Sequence, residues 1–150
     1  MQELETTNFE KMTVQEVRDF ITSFEGYLKT LPQEELPLIH HYSKGVYARE
    51  LHIPKGCMLT GKIHKFENLN ILSKGEISIL SQDGVMRVKA PFTMVSTPGV
   101  KRLAYAHEDC VWTTILGTDS KDHLQIADEF TTDDYSKIEG AECLSQLPQS

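Results

Sequence analysis

Three cysteines, Cys57, Cys110 and Cys143, are all that the 150 residues contain. An odd number without any C-x-x-C spacing supports neither a disulfide framework nor a thiolate metal site, and it fits a reducing compartment. No apolar run approaches the roughly 20 residues that cross a bilayer, and the opening MQELETTNFEKM is acidic and polar, unlike a secretory signal. The expectation is a cytoplasmic protein without a membrane partner. The chain also lacks G-x-S-x-G, G-x-x-x-x-G-K-[ST] and G-x-G-x-x-G, so a serine triad, a P-loop and a dinucleotide fingerprint are all missing.

What is present is enough for one domain with a core: 39% of residues are hydrophobic and 8% aromatic. The net charge of −7 is unevenly spread. Residues 1–37 carry 8 acids and 3 bases, residues 38–118 carry 6 acids and 10 bases, and residues 119–150 carry 8 acids and 2 bases. An acidic chain repels nucleic-acid backbones, so no nucleic-acid partner is expected. A small anion in the basic middle is compatible with this division.

The same three stretches differ in periodicity. Thr13 and Glu16 form a T-x-x-E capping box, and Val14, Val17, Ile21, Phe24, Leu28 and Leu31 follow at helical spacing. The pattern predicts a helix over 14–30, ended by Pro32, whose stripe packs on the same chain or on a second subunit. From Leu38 the pattern alternates, with short runs separated by Lys44-Gly45, Pro54-Lys55-Gly56, Lys74-Gly75, Asp83-Gly84 and Pro98-Gly99. Strands at this spacing indicate a sandwich or barrel over 38–118. Asp83-Gly84 joins Glu76–Ser81 to Val85–Ala90 as a hairpin, and Cys110–Leu116 is the last strand, with Trp112 inside it. Residues 121–130 suit a short amphipathic helix, and the remainder of the acidic 119–150 tail is polar and weakly patterned.

Within the β region, PKGCMLTGKIHKFENLNILSKG (54–75) has two glycines framing Lys62, His64 and Asn68, and Pro98-Gly99 is followed by Arg102. This outline resembles the two cupin motifs, with Lys62 at the first His of the His-x-His pair, Asn68 at the Glu, and Arg102 at the His of the second motif. The resemblance implies a mainly β fold: a single cupin-like barrel of the double-stranded β-helix or jelly-roll type, with an N-terminal α-helix and a short C-terminal helical or irregular tail. It also implies that Lys62, His64, Asn68 and Arg102 face the barrel interior. Residues i and i+2 of a strand share a face, which already places Lys62 beside His64.

An ammonium and a guanidinium have no lone pair for a divalent cation and repel it, so no metal or other cofactor is expected. The same groups suit an anion: Arg102 as a planar fork, Lys62 as a point charge, His64 and Asn68 as orienting hydrogen-bond partners. Against this stands internal pairing of Arg102 and Lys62 with Glu67, Glu76 or Glu108. A rival, off-motif metal centre could draw on His40 or His41, His52, His64, Glu67 and His107. Cys57 has no evident base partner and reads as an inert thiol.

HHYSKGVYARELHIPKG, LTGKIHKFENLNILSKGEI, DGVMRVKAPF, STPGVKRLAYAHED and VWTT, spread over 40–114, resemble small cupin-like proteins encoded by tailed bacteriophages and prophages, in which a His is common at position 68. That resemblance implies a phage protein acting in the bacterial host cytoplasm, with no enzymatic activity attached. The leading reading is a non-catalytic binding protein for a small anionic ligand, such as a nucleotide or sugar phosphate. The alternatives are a metal-dependent cupin enzyme of isomerase or oxygenase type, and a structural or virion-associated oligomer. A homodimer is expected, because pairing removes exposed sheet edges.

Overall fold

The computed structural model describes residues 9–135, so Cys143 and the last part of the acidic tail lie outside the described residues. A short 3-10 turn, Phe9–Lys11, precedes helix α1, Val14–Leu28. Eleven strands follow: β1 (Leu38–Ser43), β2 (Val46–Ile53), β3 (Met58–Thr60), β4 (Ile63–His64), β5 (Asn68–Lys74), β6 (Glu76–Ser81), β7 (Gly84–Lys89), β8 (Phe92–Ser96), β9 (Leu103–Ala106), β10 (Cys110–Gly117) and β11 (Thr131–Thr132). Helix α2, His123–Phe130, lies between β10 and β11.

Two antiparallel sheets form the barrel, in the orders β1-β2-β10-β5-β8 and β3-β9-β6-β7, and β4 pairs with β11 as a separate ribbon. The non-sequential order places β10, the last long strand, between β2 and β5. Burial of Leu51, Ile53, Leu72, Ile77, Ile79, Ala106 and Cys110 between the sheets builds the main core. At the other end Tyr47 and Leu116 pack with Ile126 of α2. The cupin-like mainly β architecture expected from the sequence is thus the one observed.

Helix α1 begins where the sequence placed it. Thr13 accepts from the Glu16 amide and the Glu16 carboxylate accepts from the Thr13 amide, at 3.1 and 2.8 Å. The helical stripe packs on its own barrel: Val17 and Ile21 meet Leu80 and Leu103, with Phe20, Phe24 and Met58 around them. The helix is thereby covered on its apolar side by the four-stranded sheet.

Gly75 shows why a glycine closes the framed segment. Its φ of +92° lies in the left-handed region, and a Cβ there would stand 2.4 Å from the Asp109 carbonyl oxygen and 2.6 Å from the Cys110 sulfur.

Candidate functional site

Because strand side chains alternate, the inward face of the five-stranded sheet is layered by its register. Arg49 pairs with Thr114 and Thr114 with Asn70, while Leu51 pairs with Trp112 and Trp112 with Leu72. A polar layer therefore lies directly on an apolar one. Arg102, just before β9, and His64 of β4 join the polar layer from the opposite wall. Between the walls lies a cavity of about 620 Å³.

Helix α2 closes one end, through Leu124, Ile126 and Ala127. It is held there by two local features. Asp122 caps its N-terminus by accepting from the Leu124 amide at 3.0 Å, and Thr131 of β11, just beyond it, pairs with His64. The His123 ring stacks on His40 of β1 with centroids 4.0 Å apart, and His40 Nδ1 lies 2.6 Å from the Tyr47 hydroxyl.

Of the four residues expected to face the interior, three line the cavity: Lys62, His64 and Arg102. Lys62 is exposed, like its neighbour Gly61, and the two mark the cavity mouth. Asn68 is buried outside the lining, its amide donating to the Phe66 carbonyl at 3.2 Å and accepting from Asn70 at 2.8 Å. The residue that faces the cavity from β5 is Asn70, one strand repeat further on.

Asn70 is a saturated hub. Its Oδ1 accepts from Trp112 Nε1 at 3.1 Å and from the Thr114 hydroxyl at 2.8 Å; its Nδ2 donates to Asn68 Oδ1 at 2.8 Å and to Ser96 Oγ at 2.6 Å. All four bonds that an amide side chain makes are formed, in a position that is 1% exposed. Ser96 Oγ in turn accepts from the Arg102 guanidinium. The chain Asn68–Asn70–Ser96 thus fixes where Arg102 points, and leaves its other donors open to the cavity.

The charge balance is uneven. Among the described residues no carboxylate lies within 4.0 Å of Arg49, Lys62 or Arg102. The carboxylates expected to compete are engaged elsewhere or distant; Glu76 pairs with Arg87. Arg49 is exposed and Arg102 half-buried, and the surrounding protein lowers the pKa of both from the ordinary arginine value by desolvation, with Asp83 opposing the shift at Arg102 and Tyr47 at Arg49. His64 is pushed down from 6.5 to about 4, first by burial and then by Arg102 and Arg49. Its ring is therefore neutral near pH 7, and its buried Nδ1 has no partner.

Arg49 was missed in the sequence, although a signal existed: it interrupts the inward series Tyr47, Leu51, Ile53 with a charge. The donor set does not fit a divalent cation, since a lone imidazole between two guanidiniums gives neither the ligand number nor the field that one needs. The other histidines are dispersed. His41 and His52 both bond Glu50, at 3.0 and 2.6 Å, and His107 bonds Ser78 at 2.6 Å. Among the described residues no group of three His, Cys, Asp or Glu side chains is placed to hold a metal ion.

No protein-family model matches the chain, and no curated protein matches it. Solved structures resemble it in fold. An uncharacterized conserved protein with a double-stranded β-helix domain from Klebsiella pneumoniae is 14% identical, with a TM-score of 0.50 over 61% of this chain and 85% of that one. KdgF from a Halomonas species is 10% identical, with a TM-score of 0.50 over 64% and 94%. A cupin-2 domain containing protein from Shewanella frigidimarina is 16% identical, with a TM-score of 0.45 over 63% and 92%. Strand order, helix placement and the two likenesses at a TM-score of 0.50 identify the fold as a double-stranded β-helix.

Proposed function

We propose that the barrel is a non-catalytic binding protein for a small molecule bearing a carboxylate or phosphate. The observation that carries this reading is the pair Arg49 and Arg102, both lining one cavity with no carboxylate of the described residues at ion-pair distance. Two like charges close enough to depress the same imidazole repel one another, and an oxyanion between them removes that cost. His64 lines the same cavity, and Lys62 at the mouth attracts the ligand as it enters. The resemblance to phage-encoded proteins supports placing this activity in the cytoplasm of a bacterial host.

The test is a thermal-shift and calorimetric screen of phosphate- and carboxylate-bearing compounds on the wild type and on Arg102→Met. A true ligand at a hundredfold excess over its dissociation constant stabilises the wild type by about 2.7 kcal/mol. Arg102→Met should lose that shift. In anion-free buffer it should be as stable as the wild type or more so, because it removes an unpaired cation. No stabilisation by any such compound, with Arg102→Met destabilised outright, would refute the reading.

A second reading, a homodimer, is supported by the outer face of the five-stranded sheet. Val95, Leu69, Ile115 and Ala48 lie in register across β8, β5, β10 and β2, and Val95 and Leu69 are 55% and 42% exposed. Ile39 and Val46 extend this apolar surface.

A further inference from the structure

The head of the ligand is specified by Arg49 and Arg102, and the walls around them specify its body. Below the charged layer, Leu51, Trp112, Leu59 and Ala104 keep accessible apolar surface toward the cavity, over a floor formed by Ile77 and Ile79. Above it, Leu116 and Ile126 are again apolar. The charge is thus a single belt between two hydrocarbon layers.

The hydrogen-bond donors set into these layers are already engaged. The donors of Trp112 and Thr114 are both spent on Asn70 Oδ1. Both amide donors of Asn70 are spent on Asn68 and Ser96. The Thr60 hydroxyl donates to Glu25, the Thr131 hydroxyl to the Ala127 carbonyl, and the Tyr47 hydroxyl is bonded to His40. Open donors are left chiefly on the cations of the belt and its mouth. A body rich in hydroxyls would lose its water there and find few donors in return, whereas a hydrocarbon body gains from the same walls.

Resting on the anion reading above, we infer that the cavity selects amphiphilic anions, with one carboxylate or phosphate head on an aryl or branched aliphatic body, over sugar phosphates. The volume of about 620 Å³ is that of a site for a small organic molecule rather than for an inorganic ion. Trp112, the single tryptophan of the chain, forms part of the apolar wall and reports on its occupancy.

The inference is tested on the full chain by calorimetry with four probes: inorganic phosphate, glucose 6-phosphate, phenyl phosphate and 4-methylpentanoate. Phenyl phosphate is expected to bind at least about tenfold more tightly than glucose 6-phosphate and inorganic phosphate, since its ring buries apolar surface that the others lack. 4-Methylpentanoate is expected to compete with it, and phenyl phosphate to change the Trp112 fluorescence. Ala104→Leu, which fills the apolar wall without touching the belt, should weaken phenyl phosphate while leaving inorganic phosphate unchanged. Equal binding of phenyl phosphate and glucose 6-phosphate, or a preference for the sugar, overturns the inference and leaves the anion reading standing. Failure of all four probes to bind the wild type overturns both.

Discussion

Lys101 Nζ donates to Glu25 Oε1 of helix α1 across 2.8 Å, with the lysine side chain only 4% exposed, while the next residue, Arg102, turns to the cavity with no carboxylate of the described residues at ion-pair distance. Two adjacent cations of one motif thus have opposite fates. Burial alone would raise the Glu25 carboxyl, but the Lys101 ammonium and the Thr60 hydroxyl outweigh it and hold its pKa below the ordinary range. The pair ties α1 to the barrel. Glu25→Gln strands a buried ammonium and should cost about 3 kcal/mol, read as a lower urea midpoint. The double variant Glu25→Gln, Lys101→Met should recover part of that loss. A single variant as stable as the wild type would contradict this account.

His64 gives the stability a defined pH dependence. Its pKa falls from 6.5 to about 4 on folding, so between those values the unfolded chain binds a proton that the folded chain refuses. Stability from this group is full above pH 6.5, declines as pH falls toward 4, and levels off below; the whole change is worth about 3 kcal/mol. His64→Gln should flatten that segment of the stability curve relative to the wild type. An anion beside His64 favours the protonated ring, so phosphate affinity should rise as pH falls through the same window.

Gly75→Ala meets two obstacles at once, a positive φ and a backbone oxygen 2.4 Å from the new Cβ. Relief requires β5 to separate from the Asp109–Cys110 segment. The variant should lose about 3 kcal/mol. Gly56→Ala is the control: it shares a positive φ but has open space around the Cβ, so it should lose less. Chemical denaturation of both variants gives the comparison.

A homodimer should appear in light scattering at micromolar concentration. The apolar row on the outer sheet face is the proposed contact surface, since a two-fold interface brings the same patch of both copies together. Val95→Glu together with Leu69→Lys should yield monomers without altering the cavity. A wild-type monomer at those concentrations would refute the dimer.

Local signals were read well because each depends on a few neighbouring residues. The capping box and the 3-4 spacing of apolar residues placed α1, which ends at Leu28, two residues short of the expected 30. The turn at Asp83-Gly84 placed the β6–β7 hairpin, and the alternation through Cys110 placed β10. Of the motif positions, Lys62, His64 and Arg102 reached the cavity lining, His64 from within β4 and the other two from the residues just before β4 and β9.

Other features depended on which strands became neighbours. Asn68 and Asn70 share a face of β5, so alternation cannot choose between them; the choice came from β10, whose Thr114 and Trp112 both reach Asn70 Oδ1 from 42 to 44 residues away in sequence. Arg49 joined Arg102 because β2 and β9 lie in opposite sheets whose inner faces meet, a relation no local pattern records. Lys101 found Glu25 across 76 residues only after α1 settled on the four-stranded sheet. The sequence by itself determined the elements and the inward or outward sense of each side chain, because those follow from backbone sterics and period. Tertiary structure alone decided which cations were neutralised and which came to line the cavity, because ion pairing depends on distances that only packing sets.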